Sequence, residues 1–530
     1  MIYTTHGQNG MVSAPHHLAA EAGANVLRAG GNAVEAMVAA AAAIAVVYPH
    51  MNSVGGDGFW IISEPGKEPI GIDACGPAAA LATRDAYKEF DCDAIPARGP
   101  LAALTVAGTV SGWASALEAA SGWGKAMPLS DILADAVAHA RGGVSVTHGQ
   151  ELLTREKLDE LKAVPGFAET YCTPKGEVLS EGAALKQAAL AATLERLGEA
   201  GLDDFYRGDV ARSLAAGLQN AGSFVGLSDL ESYRAKRTAP LSVGLKCGRV
   251  YNMPPPTQGV SSLMILALFE RLGVKNVDSF EHIHGLVEAT KQAFMLRNAH
   301  VTDPAHMSVN AASWLKPDVL DALAKDIDMT QALPWPHVAK PGDTIWMGAA
   351  DQSGRVVSFI QSTYWEYGSG VVVPDTGVVW QNRGMSFSLE PTHPNTLEPG
   401  KHPFHTLNPA LARLADGRTL AYGNMGGEGQ PQTQAAVFSR HVMFGMPLQQ
   451  AITAPRWLLG RTWGDDTTSL KLESRFDKDL IEQLANAGHD VEILEPFTST
   501  MGHAGAVSVS PYHAYEGASD PRSDGAAVGL

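Results

Sequence analysis

Cysteine is nearly missing from this 530-residue chain. The four present, Cys75, Cys92, Cys172 and Cys247, are scattered with no Cys-x-x-Cys or Cys-His spacing. That argues against a disulfide framework and against a zinc site, and no metal is expected. They read as buried thiols of a reducing compartment. A basic surplus is also missing, since 39 Lys and Arg face 56 Asp and Glu for a formal charge of −17. Without spare cations to release counterions, a nucleic-acid partner is not expected. The N-terminal run Met1-Ile2-Tyr3-Thr4-Thr5-His6-Gly7-Gln8 has no basic region and no apolar core, so no secretory signal is read there. The apolar stretch Ala33 to Tyr48 contains Glu35 and stops at Pro49, too short for a confident membrane span. A buried helix fits it better, and a cytoplasmic protein without membrane contact is expected.

What is present is an ordinary globular balance, 45% apolar and 18% charged residues, with length for two to four domains. Ser13-Ala14-Pro15 opens a helix running to Arg28 and stopped by Gly30-Gly31. Asn32 with Glu35 three residues on forms a capping box for the alanine-rich helix. Asn52 to Gly58 is a glycine-rich turn without the Lys of a phosphate loop, read as tight backbone approach in the core. Helical patterning runs from Leu129 to Leu202, from Val260 to Leu272, and along an amphipathic helix ending near His300. His282 and His284 on that helix face different sides, so a metal pair is not expected. Residues 328–342 lack periodicity and read as an exposed linker.

After the linker the pattern turns to strands. Thr344 to Ala350 and Arg355 to Gln361, joined by Asp351-Gln352-Ser353-Gly354, read as a hairpin. Further strand-like runs are Gly370 to Val373, Gly377 to Gln381, Ala410 to Leu414 and Leu420 to Gly423. Helices return at Gln432 to Phe444, Leu448 to Ala454 and Lys478 to Ala487, and the last strand-like run is near Ala506 to Ser510. This order fits a layered α/β fold with two sheets between helical layers, αββα. No nucleophile elbow of the Gly-x-Ser-x-Gly kind is present.

Several landmarks, in order, carry a resemblance. They are Gly30-Gly31-Asn32-Ala33-Val34, Met253-Pro254-Pro255-Pro256, the Asp343-Thr344 junction, Gly368-Ser369-Gly370, Met425-Gly426-Gly427, Ala454-Pro455-Arg456 and Gly517 to Arg522. Together they resemble the γ-glutamyltransferase family of N-terminal-nucleophile hydrolases over nearly the whole chain. The resemblance implies self-cleavage between Asp343 and Thr344, giving a large chain (1–343) and a small chain (344–530) that stay together as a heterodimer. A dimer of such heterodimers is left open. Thr344 would then carry both the nucleophilic hydroxyl and, as its base, an α-amine titrating around pH 8, with no cofactor. Gly426 and Gly427 match the oxyanion site, and Ser362 falls where a hydroxyl bonds the nucleophile.

The substrate positions depart from the family. Asp73 stands where the family has a carboxylate-binding arginine, Met385 and Ser386 where it has an acidic pair, Tyr364 where it has asparagine, and His405-Thr406 where it has two serines. γ-Glutamyl binding is therefore expected to be lost. Arg383, beside Asn382, arrives at a substrate-contact position and can grip a carboxylate through two N–H groups; a structural salt bridge is the equal alternative. The altered pocket resembles the oxamate amidohydrolase branch, which implies hydrolysis of oxamate to oxalate and ammonia. γ-Glutamyl hydrolysis or transfer, β-lactam acylation, and an uncleaved scaffold protein stay open as alternatives.

Overall fold

The Thr344 hairpin forms as its alternation suggests, and the computed structural model, which describes residues 3–335, 343–460 and 468–530, places it at the centre of a sheet. Strand Asp343–Asp351 pairs antiparallel with Val356–Tyr364, and Gly354, at φ +73°, turns the chain between them. Both strands are buried on both faces, so the period of two sorts apolar residues between two cores instead of between core and water. Ile345, Met347, Ala349, Val357 and Phe359 join one core. Trp346, Ala350, Val356 and Ile360 join another.

Two seven-stranded, fully antiparallel sheets lie face to face. The first runs Ala526–Gly529, Gly10–Ala14, Asp343–Asp351, Val356–Tyr364, Asp57–Ser63, Ile70–Ala74 and Lys236–Thr238. The second runs Thr5–Gly7, Tyr515–Ser519, Ala504–Val509, Thr419–Asn424, Ala410–Leu414, Gly248–Asn252 and Leu241–Leu245. Between them sits the core holding Trp346, Leu411, Ala421 and Val507. Helices cover the outer face of each sheet, which completes the αββα order.

On the first sheet the covering layer is His17–Arg28 packed on Ala33–Val47. The capping box is present: the Asn32 side chain accepts from Val34 and Glu35 N–H, and Glu35 Oε2 accepts from Asn32 N–H at 2.8 Å. All fifteen residues of Ala33–Val47 are buried, as their near-uniform apolarity requires. The two helices approach closely because Gly23 has no side chain; a Cβ there would stand 2.9 Å from the Ala36 carbonyl oxygen. On the second sheet Gly259–Leu272, Phe280–His300 and Gln430–Phe438 form the outer layer.

Four expectations are corrected. The Leu129–Leu202 stretch is a set of shorter helices, the longest His148–Leu161 and Ala188–Ala200, interrupted by the small ladder Val144–Ser145 with Ala184–Leu185. Phe280–His300 is buried on nearly all sides and is not amphipathic, because its polar residues pair internally, as Lys291 does with Glu288 at 2.6 Å. His282 and His284 do point to different partners, Ser439 and His489. The chain also holds strands at both ends, Gly10–Ala14, Tyr515–Ser519 and Ala526–Gly529, rich in Gly and Ala and buried on two faces, so that no alternation marks them. Of the cysteines only Cys75 is fully buried; all four are free thiols. Within the expected linker, 328–335 is irregular and mostly exposed, and 336–342 lies outside the described residues. No described helix is long and apolar enough to cross a membrane.

Glu35 serves two segments, since its Oε1 also accepts the Met127 N–H at 2.8 Å. Replacing Glu35 by Ala removes both bonds and leaves buried donors unmet, which should cost about 1–3 kcal/mol. The expected result is a lower unfolding midpoint in urea with an unchanged slope.

Candidate active site

Thr344 sits where the strand loses its regular register. Asp343 pairs with Tyr364 and Ile345 with Gln361, so Thr344 alone faces Ser362 and Thr363, a bulge of the sort common beside active sites. Thr344 is fully buried, and Gln430 Nε2 donates to its hydroxyl at 3.4 Å. Ser362 Oγ accepts the Tyr364 N–H at 2.7 Å. Tyr364 holds φ at +86°, a conformation that costs a non-glycine residue roughly 1–3 kcal/mol. The glycine-rich turn closes over this point: a Cβ on Gly56 would stand 2.1 Å from the Ser362 carbonyl oxygen. The expected tight backbone approach is therefore made against the Thr344 hairpin.

From the facing sheet, strand Thr419–Asn424 runs through Met425 into Gly426 at φ +124° and Gly427 at φ +51°, angles that side chains disfavour. A short 3₁₀ turn then leads into helix Gln430–Phe438. The turn is braced twice. Gln258 Nε2 donates to the carbonyls of Gly427 (2.8 Å) and Thr406 (2.7 Å), while its Oε1 accepts from Arg297, which also pairs with Glu428. Behind it, Arg456 donates to the carbonyls of Met501 (3.1 Å) and Gly502 (2.7 Å) and pairs with Asp520. Gly502 in turn lies against Met425, where a Cβ would meet the carbonyl oxygen at 2.1 Å.

Arg383 is fully buried. Its Nη2 donates to Thr406 Oγ1 at 3.2 Å, its guanidinium lies 3.7 Å over the Tyr364 ring, and its Nε and Nη1 have no hydrogen-bond partner. Burial lowers its pKa to about 10, against the opposing pull of Tyr364 and Asp57, so it stays cationic near neutrality. The salt-bridge alternative is not realised: no carboxylate among the described residues pairs with it. Two N–H groups of a buried cation without acceptors are costly unless an anion fills the space.

Beside it lies a carboxylate that sequence reasoning passed over. Asp57 Oδ1 accepts from the Gly76, Gly108 and Gln381 N–H groups, each at 3.1 Å, and Oδ2 from His405 Nε2 at 3.1 Å. Leu407 N–H donates to His405 Nδ1 at 3.3 Å, so the ring is the neutral tautomer with its proton on Nε2. Burial pushes His405 well below its ordinary pKa. Burial also raises Asp57 to about 7, opposed by the Gly76 amide and Arg383. Donor atoms of Asp57, Cys75 and His405 lie within 4.8 Å of one another. The Asp57 oxygens already hold four N–H donors and Arg383 adds positive charge, so the cluster favours protons over a metal ion.

The structure thus brings Thr344, Ser362, Tyr364, Arg383, His405, Thr406, Gly426 and Gly427 to one end of the sandwich. It does not bring all the expected residues there. Both ends of the Asn382 amide are committed, Oδ1 to Trp365 N–H (3.1 Å) and Nδ2 to the Ala97 carbonyl (2.9 Å), so it braces a loop. Asp73 borders a different cavity, of about 660 Å³, with Pro254, Pro255, Asp303 and His402, and neither Thr344 nor Arg383 lines it. Asp57 escaped notice because Gly-Gly-Asp-Gly reads as a turn; an acid flanked by glycines in a buried strand start was the available signal. Gln430, Gln258 and Arg297 carried no sequence signal.

Two antiparallel sheets between helical layers, with a threonine at a strand start facing a glycine pair, define the αββα N-terminal-nucleophile hydrolase fold. A cephalosporin acylase structure from Bacillus halodurans superposes with a TM-score of 0.91 at 31% identity, covering 100% of this chain and 97% of that one. A family model described as gamma-glutamyltranspeptidase matches residues 19–530, and the chain belongs to that family. It is 54% identical over 527 residues to a Klebsiella pneumoniae protein named oxamate amidohydrolase proenzyme, with 99% of each covered. It is 39% identical, again over 99% of each, to a Bacillus subtilis glutathione hydrolase-like proenzyme. The chain is an enzyme of this family, a hydrolase.

Arg456 and Asp520 are buried partners, so removing one strands the other. Arg456→Met should destabilise the protein by about 3–5 kcal/mol. Thermal unfolding would show a midpoint drop well beyond that of a surface Arg→Met control.

Proposed function

We propose that the chain cuts itself between Asp343 and Thr344 and then hydrolyses small carboxylate-bearing amides, with oxamate as substrate and oxalate and ammonia as products. The observation that carries this reading is the buried Arg383 with two unpartnered N–H groups, stacked on the Tyr364 whose backbone pairs with Asp343. A carboxylate held there has its neighbouring carbonyl next to Thr344. The name of the Klebsiella relative points the same way. We place the enzyme in the cytoplasm, as two chains held in one unit.

The steps follow from the residues. In the precursor the Thr344 hydroxyl attacks the Asp343 carbonyl, the peptide shifts to an ester, and water releases the Thr344 α-amine. The bulge at Thr344 and the left-handed Tyr364 opposite weaken the regular pairing of this bond, which favours its exchange. In turnover the α-amine accepts the hydroxyl proton as Oγ1 attacks the amide carbon. The Gly426-Gly427 turn offers backbone N–H groups to the oxyanion, a donor of this kind being worth about 3–4 kcal/mol. Ammonia leaves with the proton, and water cleaves the acyl ester. Ser362 and Gln430 hold the hydroxyl in line, and Arg383 with Thr406 fixes the carboxylate end.

Intact-mass analysis should give two species divided before Thr344; a single full-length species in active protein would favour the scaffold alternative. Thr344→Ala should remain full-length and release no ammonia from oxamate. Arg383→Ala should raise the KM for oxamate about 10- to 100-fold, the worth of a charged hydrogen-bond pair. An unchanged KM would remove Arg383 from this role.

A further inference from the structure

Hydrolysis of such a substrate changes the charge in the pocket. Water adds to the amide carbon, the C–N bond breaks, a C–O bond forms, and ammonia carries off a proton as ammonium. A monoanion with a neutral amide becomes a dianion. Arg383 is the single cation that the pocket directs at the acid, and Asp57 stands one residue away from it along two paths. Gln381, two residues before Arg383, donates to Asp57, and His405, which precedes the Thr406 that holds Arg383, donates to it as well. The charges of Asp57 and Arg383 act on one another, yet they form no direct ion pair among the described residues.

We propose that Asp57, held by His405 and Gln381, is a specificity-determining residue that admits monoanionic amides and expels the dicarboxylate product. This rests on the reading of Arg383 as the carboxylate holder. With Asp57 ionised, the empty pocket is neutral: one guanidinium, one carboxylate. A monoanion brings it to one net negative charge and a dianion to two, in a buried site where each unbalanced charge is costly. Asp57 therefore penalises product more than substrate, and turnover does not stall on a tightly gripped diacid. Its charge is rigidly placed, since four donors hold both oxygens.

The groups facing Asp57 allow a clean readout. They are His405, kept neutral by burial, Arg383, the Cys75 thiol, raised well above its ordinary pKa by burial, and the phenols of Tyr206 and Tyr233, raised likewise. None of these changes charge between pH 6 and 8.5, whereas Asp57, raised to about 7 by burial, does. The Thr344 α-amine also titrates there, so the quantity to follow is a ratio between wild type and variant at one pH.

Titration calorimetry of the processed enzyme with oxalate and with glycolate tests this. In the wild type the oxalate-to-glycolate Kd ratio should be high at pH 8 and fall as pH drops through 7, as Asp57 loses its charge. In Asp57→Asn, which keeps the three Oδ1 contacts, the ratio at pH 8 should fall by at least about tenfold, a modest share of one unit charge in a buried site. A ratio unchanged in Asp57→Asn overturns the proposal. Should that variant not process, a flat wild-type ratio across pH 6 to 8.5 overturns it alone. Arg383→Ala separates the two readings: unchanged glycolate affinity there removes the carboxylate holder itself, whatever Asp57 does.

Discussion

Everything at this site depends on strand Asp343–Asp351 being paired on both sides. Gly10–Ala14 holds its later half and Val356–Tyr364 its whole length, so the strand cannot shift along its axis without moving every side chain to the wrong face. Only at its first residues does the pairing slip, and that is where Thr344 stands. A central strand supplies rigidity; its bulged beginning supplies an unpaired hydroxyl in a fixed place. The second sheet uses the same device in reverse, ending Thr419–Asn424 in two left-handed glycines that turn the backbone toward that hydroxyl.

Around this point the protein buries an unusual amount of charge. Arg297 with Glu428, Arg456 with Asp520, and Asp57 with His405 are all removed from water. The first two are ion pairs whose remaining N–H groups reach backbone carbonyls of the glycine turn and its neighbour, so their cost is offset by holding backbone that lacks side chains of its own. The third differs, because its carboxylate is satisfied by neutral donors and leaves Arg383 unpaired. The molecule thus separates charges that brace from charges that wait for a ligand.

Much of this was legible in the sequence, for reasons that differ by element. The Thr344 hairpin and the capped alanine helix carry local signals: a period of two with a Gly turn, and Asn32 with Glu35. The terminal strands carry none, since Gly-Met-Val-Ser-Ala buried on both faces has no polar side to reveal it. Helix Phe280–His300 misled because Lys291 and Arg297 look like a wet face until their partners Glu288 and Glu428 are seen in space. At the site, Thr344, Gly426 and Arg383 stood out through order and spacing. Asp57, Gln430 and the true surroundings of Asp73 depend on which strand ends meet, and that is a property of sheet order, which no local pattern encodes.

The strand order has one more consequence. Reading across the first sheet, strands from before and after residue 343 interleave: 526–529, then 10–14, then 343–351 and 356–364, then 57–63. The second sheet is interleaved in the same manner, with 5–7 at its edge and 248–252 beside 410–414. A break in the backbone before Thr344 would therefore leave two fragments neither of which owns a complete sheet. Each would be missing the neighbours that satisfy its backbone, so the pair is a single cooperative body whose halves have no folded existence apart.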